Sequence, residues 1–127
     1  MAARHPDNVA VWFEIPAANF ERAVGFYEKV FDTRLTKEKF GPADLAVFPY
    51  EQPAMSGCVI RGDGYVPGRD GAVVYLSSRV DLDVPLGKVA AAGGRVATPK
   101  TALPEGMGYF AHFVDSEGNR VGLHSIE

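Results

Sequence analysis

The sequence predicts an α+β fold of two tandem βαβββ modules, and three features carry that prediction. A strand followed by an amphipathic helix fills residues 9–31, and the same pattern returns from Ala72. Between them, residues 62–71 are dense in glycine and proline, with Asp63-Gly64 and Asp70-Gly71 as turn pairs, the composition of a linker. The expected organisation is one domain over residues 1–127: module 1 at about 8–61, the linker at 62–71, and module 2 at about 72–126.

The elements follow in order. Residues 1–8 are polar, with Pro6, Asp7 and Asn8 a loop-like lead and His5 a solvated tail residue. Val11 to Ile15 has the β-branched and aromatic composition of a strand, ended by Pro16. Alternation puts Val11, Phe13 and Ile15 on the face under the helix and Trp12 and Glu14 on the other. A carboxylate on that second face is costly to bury unless it is wet or partnered, so the face points to a concave, partly polar cavity. Asn19 stands at a helix N-cap position, with Glu21 in the first turn. Phe20, Ala23, Val24, Tyr27, Val30 and Phe31 recur at spacings of three and four and form one apolar stripe. A short exposed strand is expected at Arg34 to Phe40, a second at Asp44 to Tyr50 interrupted near Pro49, and a third at Met55 to Arg61.

In module 2, Ala72 to Ser77 reads as an apolar strand. Pro85 suits the first position of a helix that Gly93-Gly94 stops. Arg95 to Ala97 reads as a short strand ended by Pro99. A longer strand is expected at Gly106 to Val114, a turn at Asp115 to Asn119, and a last strand at Arg120 to Ser125. Two such half-sheets with their helices outside would leave a cleft between the inner faces.

Bulk properties exclude several classes. The net charge of −3 and scattered Lys and Arg residues give no basic field for nucleic acid. The glycines of residues 62–71 lack the Lys-Ser/Thr and the helix start of a phosphate loop. Neither a signal-peptide core nor a membrane-length apolar run is evident. The single cysteine, Cys58, has no internal disulfide partner. A cytoplasmic protein is the expectation.

The segments Glu14 to Phe31, Ala90 to Val96 and Phe113 to Ser125 together resemble the vicinal oxygen chelate superfamily, which includes glyoxalase I, extradiol dioxygenases, and the fosfomycin and bleomycin resistance proteins. The resemblance spans Val9 to Ser125. It implies that the modules form a half-closed barrel around a cleft, commonly in a homodimer. It also implies where the family's metal enzymes place His and Glu ligands. Those positions fall on Trp12, on Val74, on Gly122, and near Gly57 to Ile60, where Cys58 alone could bind a metal. No cofactor is therefore expected, and a divalent metal is disfavoured.

The candidate ligand-binding residues are Trp12, Glu14, Cys58, Val74, His112, Arg120, Gly122 and His124. Trp12 offers an aromatic wall, while Arg120 and His124 share the alternation of Gly122. Glu14 and His124 are the candidate catalytic pair. The facing of His112 is open at this stage. Tyr75, as neighbour of Val74, is expected in the core, Cys58 as an inert small hydrophobe, and Arg61, Arg69 and Arg79 as solvated charges. These residues suggest a metal-free protein that binds a small apolar or aromatic ligand in the inter-module cleft. Two alternatives stand beside it: a glyoxalase-like lyase or dioxygenase-type enzyme using an unconventional metal site or a Glu/His acid–base pair, and a dimeric interaction module with a filled cleft.

Overall fold

Helix α1 (Phe20–Phe31) is the element on which both halves rest. In the computed structural model, which describes residues 9–127, its buried side chains are Phe20, Ala23, Val24, Phe26, Tyr27 and Val30. Asn19 caps the helix as its sequence suggests, with Arg22 N donating to Asn19 Oδ1 at 3.0 Å, a contact worth about 1 kcal/mol. Asp32, in the left-handed conformation, ends it. The expectations for His5 and for the lead at Pro6 to Asn8 lie outside the described residues.

Module 1 comprises β1 (Trp12–Pro16), α1, β2 (Thr36–Phe40), β3 (Ala43–Val47) and β4 (Ser56–Arg61). Module 2 comprises β5 (Tyr75–Ser77), α2 (Asp83–Leu86), β6 (Arg95–Ala102), β7 (Tyr109–Val114) and β8 (Arg120–Ser125). Each module forms a four-stranded sheet, ordered β1-β4-β3-β2 and β5-β8-β7-β6, in which the first strand runs parallel to the last. The repeated order makes the modules topological copies, and the sheets curve into a half-closed barrel rather than a closed one.

One apolar cluster joins the copies. Ile15, Ala46 and Val59 from the first sheet and Ala111, Phe113, Val121 and Leu123 from the second all pack with α1. Phe26 meets Phe113 at a centroid distance of 5.8 Å and Tyr27 edge-on at 4.9 Å. Burying each such side chain contributes about 1.5–3 kcal/mol. The helices cover the outer face of both sheets, and the opposite faces look into the cleft.

Four local expectations are corrected. Val11 lies outside β1 and is exposed, so only Phe13 and Ile15 sit beneath the helix. β5 starts at Tyr75, because residues 72–74 carry no regular pairing. α2 begins at Asp83 with Leu82 as its cap, so Pro85 is the third helical residue, and hydrogen-bonded turns continue to Gly93. β6 runs past Pro99 to Ala102. It is the sheet's outer strand and its register shifts between Thr98 and Thr101, so the missing proline N–H interrupts no central ladder.

Candidate functional site

The cleft face is set by strand register. In module 1, Glu14 pairs with Cys58, Cys58 with Val47, and Val47 with Thr36, giving one rung of four side chains on the inner face. In module 2 the equivalent rung is Tyr75, Gly122, His112 and Thr98. The open facing of His112 is thereby decided: it lies on the inner face. Tyr75 likewise belongs to this face rather than to the core. Val74 precedes the strand and contributes its carbonyl, which accepts from Gly122 N at 2.8 Å.

The module 2 rung is a hydrogen-bonded chain. Tyr75 lies across Gly122, where an added Cβ would fall 2.3 Å from Tyr75 Cδ1. Glycine is required there by the ring above it. The Tyr75 hydroxyl reaches His112 Nε2 at 2.7 Å, and His112 Nδ1 lies 3.0 Å from Thr98 Oγ1. Burial lowers the pKa of His112, and the nearby Arg120 guanidinium lowers it further, so the ring is neutral at neutral pH. Arg120 Nη2, which can only donate, lies 3.5 Å from Nδ1. A neutral ring has one donor and one acceptor nitrogen, so Nε2 either donates to the Tyr75 oxygen or accepts its hydroxyl proton. Trp12 is 44% exposed and Tyr75 51%, so both present aromatic surface to solvent.

The module 1 rung is buried at its centre and exposed at Glu14 and Thr36. Cys58 and Ile60 are buried in a small apolar cluster with Val47. Burial, together with Glu14 and Glu38, pushes the Cys58 thiol up to about 12, which suits an inert thiol. Tyr65 of the linker sits by Glu14, whose charge raises the phenol's pKa. Val66, Gly68 and Asp70 continue along the wall of a cavity of about 290 Å³ that Glu14, Val74 and Arg120 also line. Three candidate residues therefore share this cavity at the junction of the modules. At the other end of the junction, Phe13, Phe48, Met55, Leu76 and Ser77 line an apolar cavity of about 230 Å³. A larger groove of about 540 Å³ lies beside β2, and its charges other than Glu38 pair with each other. Lys37 meets Glu21 at 2.8 Å, and Lys39 and Arg61 both meet Asp44.

Other predicted residues are placed apart. His124 Nε2 meets the carbonyl of Met107 at 2.8 Å, a contact within the module, and shares no hydrogen bond with Glu14. Arg61, expected to be solvated, is paired with Asp44. The metal-ligand positions fit no metal. Trp12 and Val74 offer no donor, and Gly122 lies under a tyrosine ring. Among the described residues, no group of three or more His, Cys, Asp or Glu side chains could hold an ion. A displaced site built from Glu14, His112 and His124 has no support in this arrangement.

A polar staple in the turn before β8 was missed as such. Ala18 N and Asn19 N donate to Glu117 Oε1 at 3.0 and 2.7 Å, and Arg22 Nε donates to Oε2 at 2.6 Å. Burial would push Glu117 up, but these contacts outweigh it and hold the carboxyl below its usual range. The buried Asp115 accepts from the Tyr27 hydroxyl at 2.6 Å, while Asn119 Nδ2 donates to Pro16 O at 2.7 Å and Asn119 Oδ1 accepts from Gly68 N. The turn was visible as Asp115-Ser116-Glu117-Gly118-Asn119. Its bonding to α1 and β1, about a hundred residues away in sequence, carries no local signal.

Comparison with known proteins agrees with this architecture. The family model described as Glyoxalase/Bleomycin resistance protein/Dioxygenase superfamily matches residues 9–123. A glyoxalase/bleomycin resistance protein from Albidiferax ferrireducens superposes with a TM-score of 0.71 at 15% identity, covering 91% of this chain and 97% of that one. The fosfomycin resistance protein FosX from Listeria monocytogenes gives 0.65 at 14% identity, over 94% of each chain. A V278E mutant of glyoxalase I from Zea mays gives 0.69 at 22% identity and covers 91% of this chain but only 45% of that one, so the chain spans under half the maize protein. No curated protein sequence matches significantly.

Proposed function

Because the chain belongs to the glyoxalase/bleomycin resistance protein/dioxygenase superfamily, we propose that it is a metal-free member that binds a small, flat, apolar or aromatic molecule in the inter-module cleft. One observation carries this reading. The inner-face places where the family's metal enzymes gather donors hold Trp12 and, over Gly122, Tyr75, two half-exposed aromatic side chains. An aromatic floor beside a few convergent polar groups is the make-up of a small-molecule pocket. Glu14 and Arg120 are the polar anchors that line the junction cavity with Val74. Cytoplasmic location and a homodimer belong to the same reading, and light scattering would then give about twice the 13.7 kDa chain mass.

The test is elemental analysis of protein purified without chelator, followed by a thermal-shift screen of planar ligands. The expected result is no stoichiometric metal and a raised melting temperature with at least one planar ligand, since a molecule binding only the native state stabilises it. A metal bound one per chain would overturn the reading in favour of an enzyme.

A further inference from the structure

We propose that the apolar cavity at the far end of the junction, lined by Phe13, Phe48, Met55, Leu76 and Arg79, is a second binding site, independent of the cleft, for a small amphipathic acid that buries one ring or short alkyl chain and presents a carboxylate to Arg79.

The cavity is separate from the cleft. It shares no lining residue with the junction cavity of Glu14 and Arg120, and strand alternation turns Phe13 and Leu76 to the side opposite Trp12 and Tyr75. Its floor is the fringe of the core. Phe13, Phe31, Phe48 and Leu76 are only partly buried, and all four line this one cavity while packing on the buried cluster beneath. The rings are held in place. Buried Tyr27 stacks on Phe31 at 6.3 Å and meets Phe48 edge-on at 5.6 Å, and Phe48 lies 5.7 Å from Phe13. Tyr27 is itself tied to Asp115 at 2.6 Å, so the floor is organised before a ligand arrives. At about 230 Å³ the space falls below the roughly 300–1,000 Å³ that suits drug-sized molecules, so it fits a single ring.

Charge selects the head group. Arg79 is the only charged residue described on the wall, and it forms no ion pair with a described residue, not even with Glu51, beside which it borders an adjoining groove. Its backbone sits at φ 67, the left-handed region that favours glycine, bracketed by bonds from Ser78 Oγ to Val80 O and from Ser78 N to His124 O. Glycine would sit there with less strain but would bring no cation. Three phenyl rings alone also suit a cationic ligand, but Arg79 repels one. The C-terminal end of α1 at Phe31 carries partial negative charge, so an acidic group is drawn to the Arg79 side. Thr33 and Ser77 add hydroxyls to the wall, while the Ser56 hydroxyl is committed to Phe48 O at 2.9 Å.

Nuclear magnetic resonance on methyl-labelled methionine tests the site with phenylacetate, phenylacetamide and phenethylammonium, which share one ring and differ in charge. Phenylacetate should bind tightest and the cation weakest. Its ring should show nuclear Overhauser contacts to the Met55 methyl, assigned by its loss in Met55→Leu, and none to the indole of Trp12, the single tryptophan. Arg79→Gln should weaken phenylacetate about tenfold, the loss expected for one hydrogen bond to a charged group, and leave phenylacetamide nearly unchanged. Arg79→Lys keeps the charge and should keep the preference for the acid. Contacts to Trp12 in place of Met55 would overturn this site and leave the cleft reading standing. Equal binding of the three probes, a preference that survives Arg79→Gln, or no binding at all would overturn it as well.

Discussion

In module 1 the rung of Glu14, Cys58, Val47 and Thr36 is buried at Cys58 and Val47, exposed at both ends and neighboured by Tyr65 of the linker at Glu14, while in module 2 the matching rung of Tyr75, Gly122, His112 and Thr98 is joined by hydrogen bonds. Strand order and register are the same in both. The chemistry differs because one position differs most. Gly122 leaves room for a ring to lie flat on the sheet, whereas Cys58, its counterpart, fills its own space and packs against Val47 and Ile60. Topology supplies two equivalent walls, and the volume of a single side chain decides which becomes an aromatic floor.

Adding one carbon to that floor should break the difference with the largest effect. Gly122→Ala places Cβ 2.3 Å from Tyr75 Cδ1, so Tyr75 must swing away and surrender His112. Overpacking of this kind costs about 1–3 kcal/mol, and denaturant unfolding would register it. The double variant with Tyr75→Ala should lose less than the sum of the two single losses, since the clash disappears with the ring. Additive losses would mean that the ring and the glycine do not depend on each other.

The module 1 wall is sharpened through its buried thiol. An unfolded cysteine ionises near its ordinary value, about 9, while burial first and Glu14 second hold Cys58 up to about 12. Between those values the unfolded chain binds fewer protons than the folded one, so this group lowers stability as pH rises, by up to about 1.4 kcal/mol per unit. Below pH about 9 it contributes no slope. Cys58→Ala should remove this slope, so the stability of the parent relative to the variant should fall across that window. A constant difference would show that the thiol is not kept protonated by the fold.

The sequence made the repeat legible because helix periodicity, caps and turn residues are local signals. Asn19, the stripe from Phe20 to Val30, and the last strand at Arg120 to Ser125 all stand where periodicity places them. Phe26 escaped because its partner, Phe113, belongs to the other module, and a stripe drawn for one sheet is narrower than one serving two. The family resemblance, aligned through the second helix, implies Val74 as the inner-face position. The unpaired residues 72–74 break that alignment, and Tyr75 takes the place. The bond from Tyr75 to His112 joins residues 37 apart on strands that pair only through β8, so no spacing rule could announce it.

The smallest expected effect concerns Glu14, and it separates a structural carboxylate from one held ready for ligand. Glu14 is exposed and enters no salt bridge with a described residue, so Glu14→Gln should change stability by no more than about 0.5 kcal/mol. Tyr65 should respond nonetheless, because the Glu14 charge is the largest cause of its raised pKa. Ultraviolet titration of the phenols should then show one tyrosine ionising at lower pH in the variant. If Tyr65 is unmoved, the linker does not rest on the module 1 wall. If it shifts while stability holds, the carboxylate contributes little to folding and is free to meet whatever enters the junction cavity opposite Arg120.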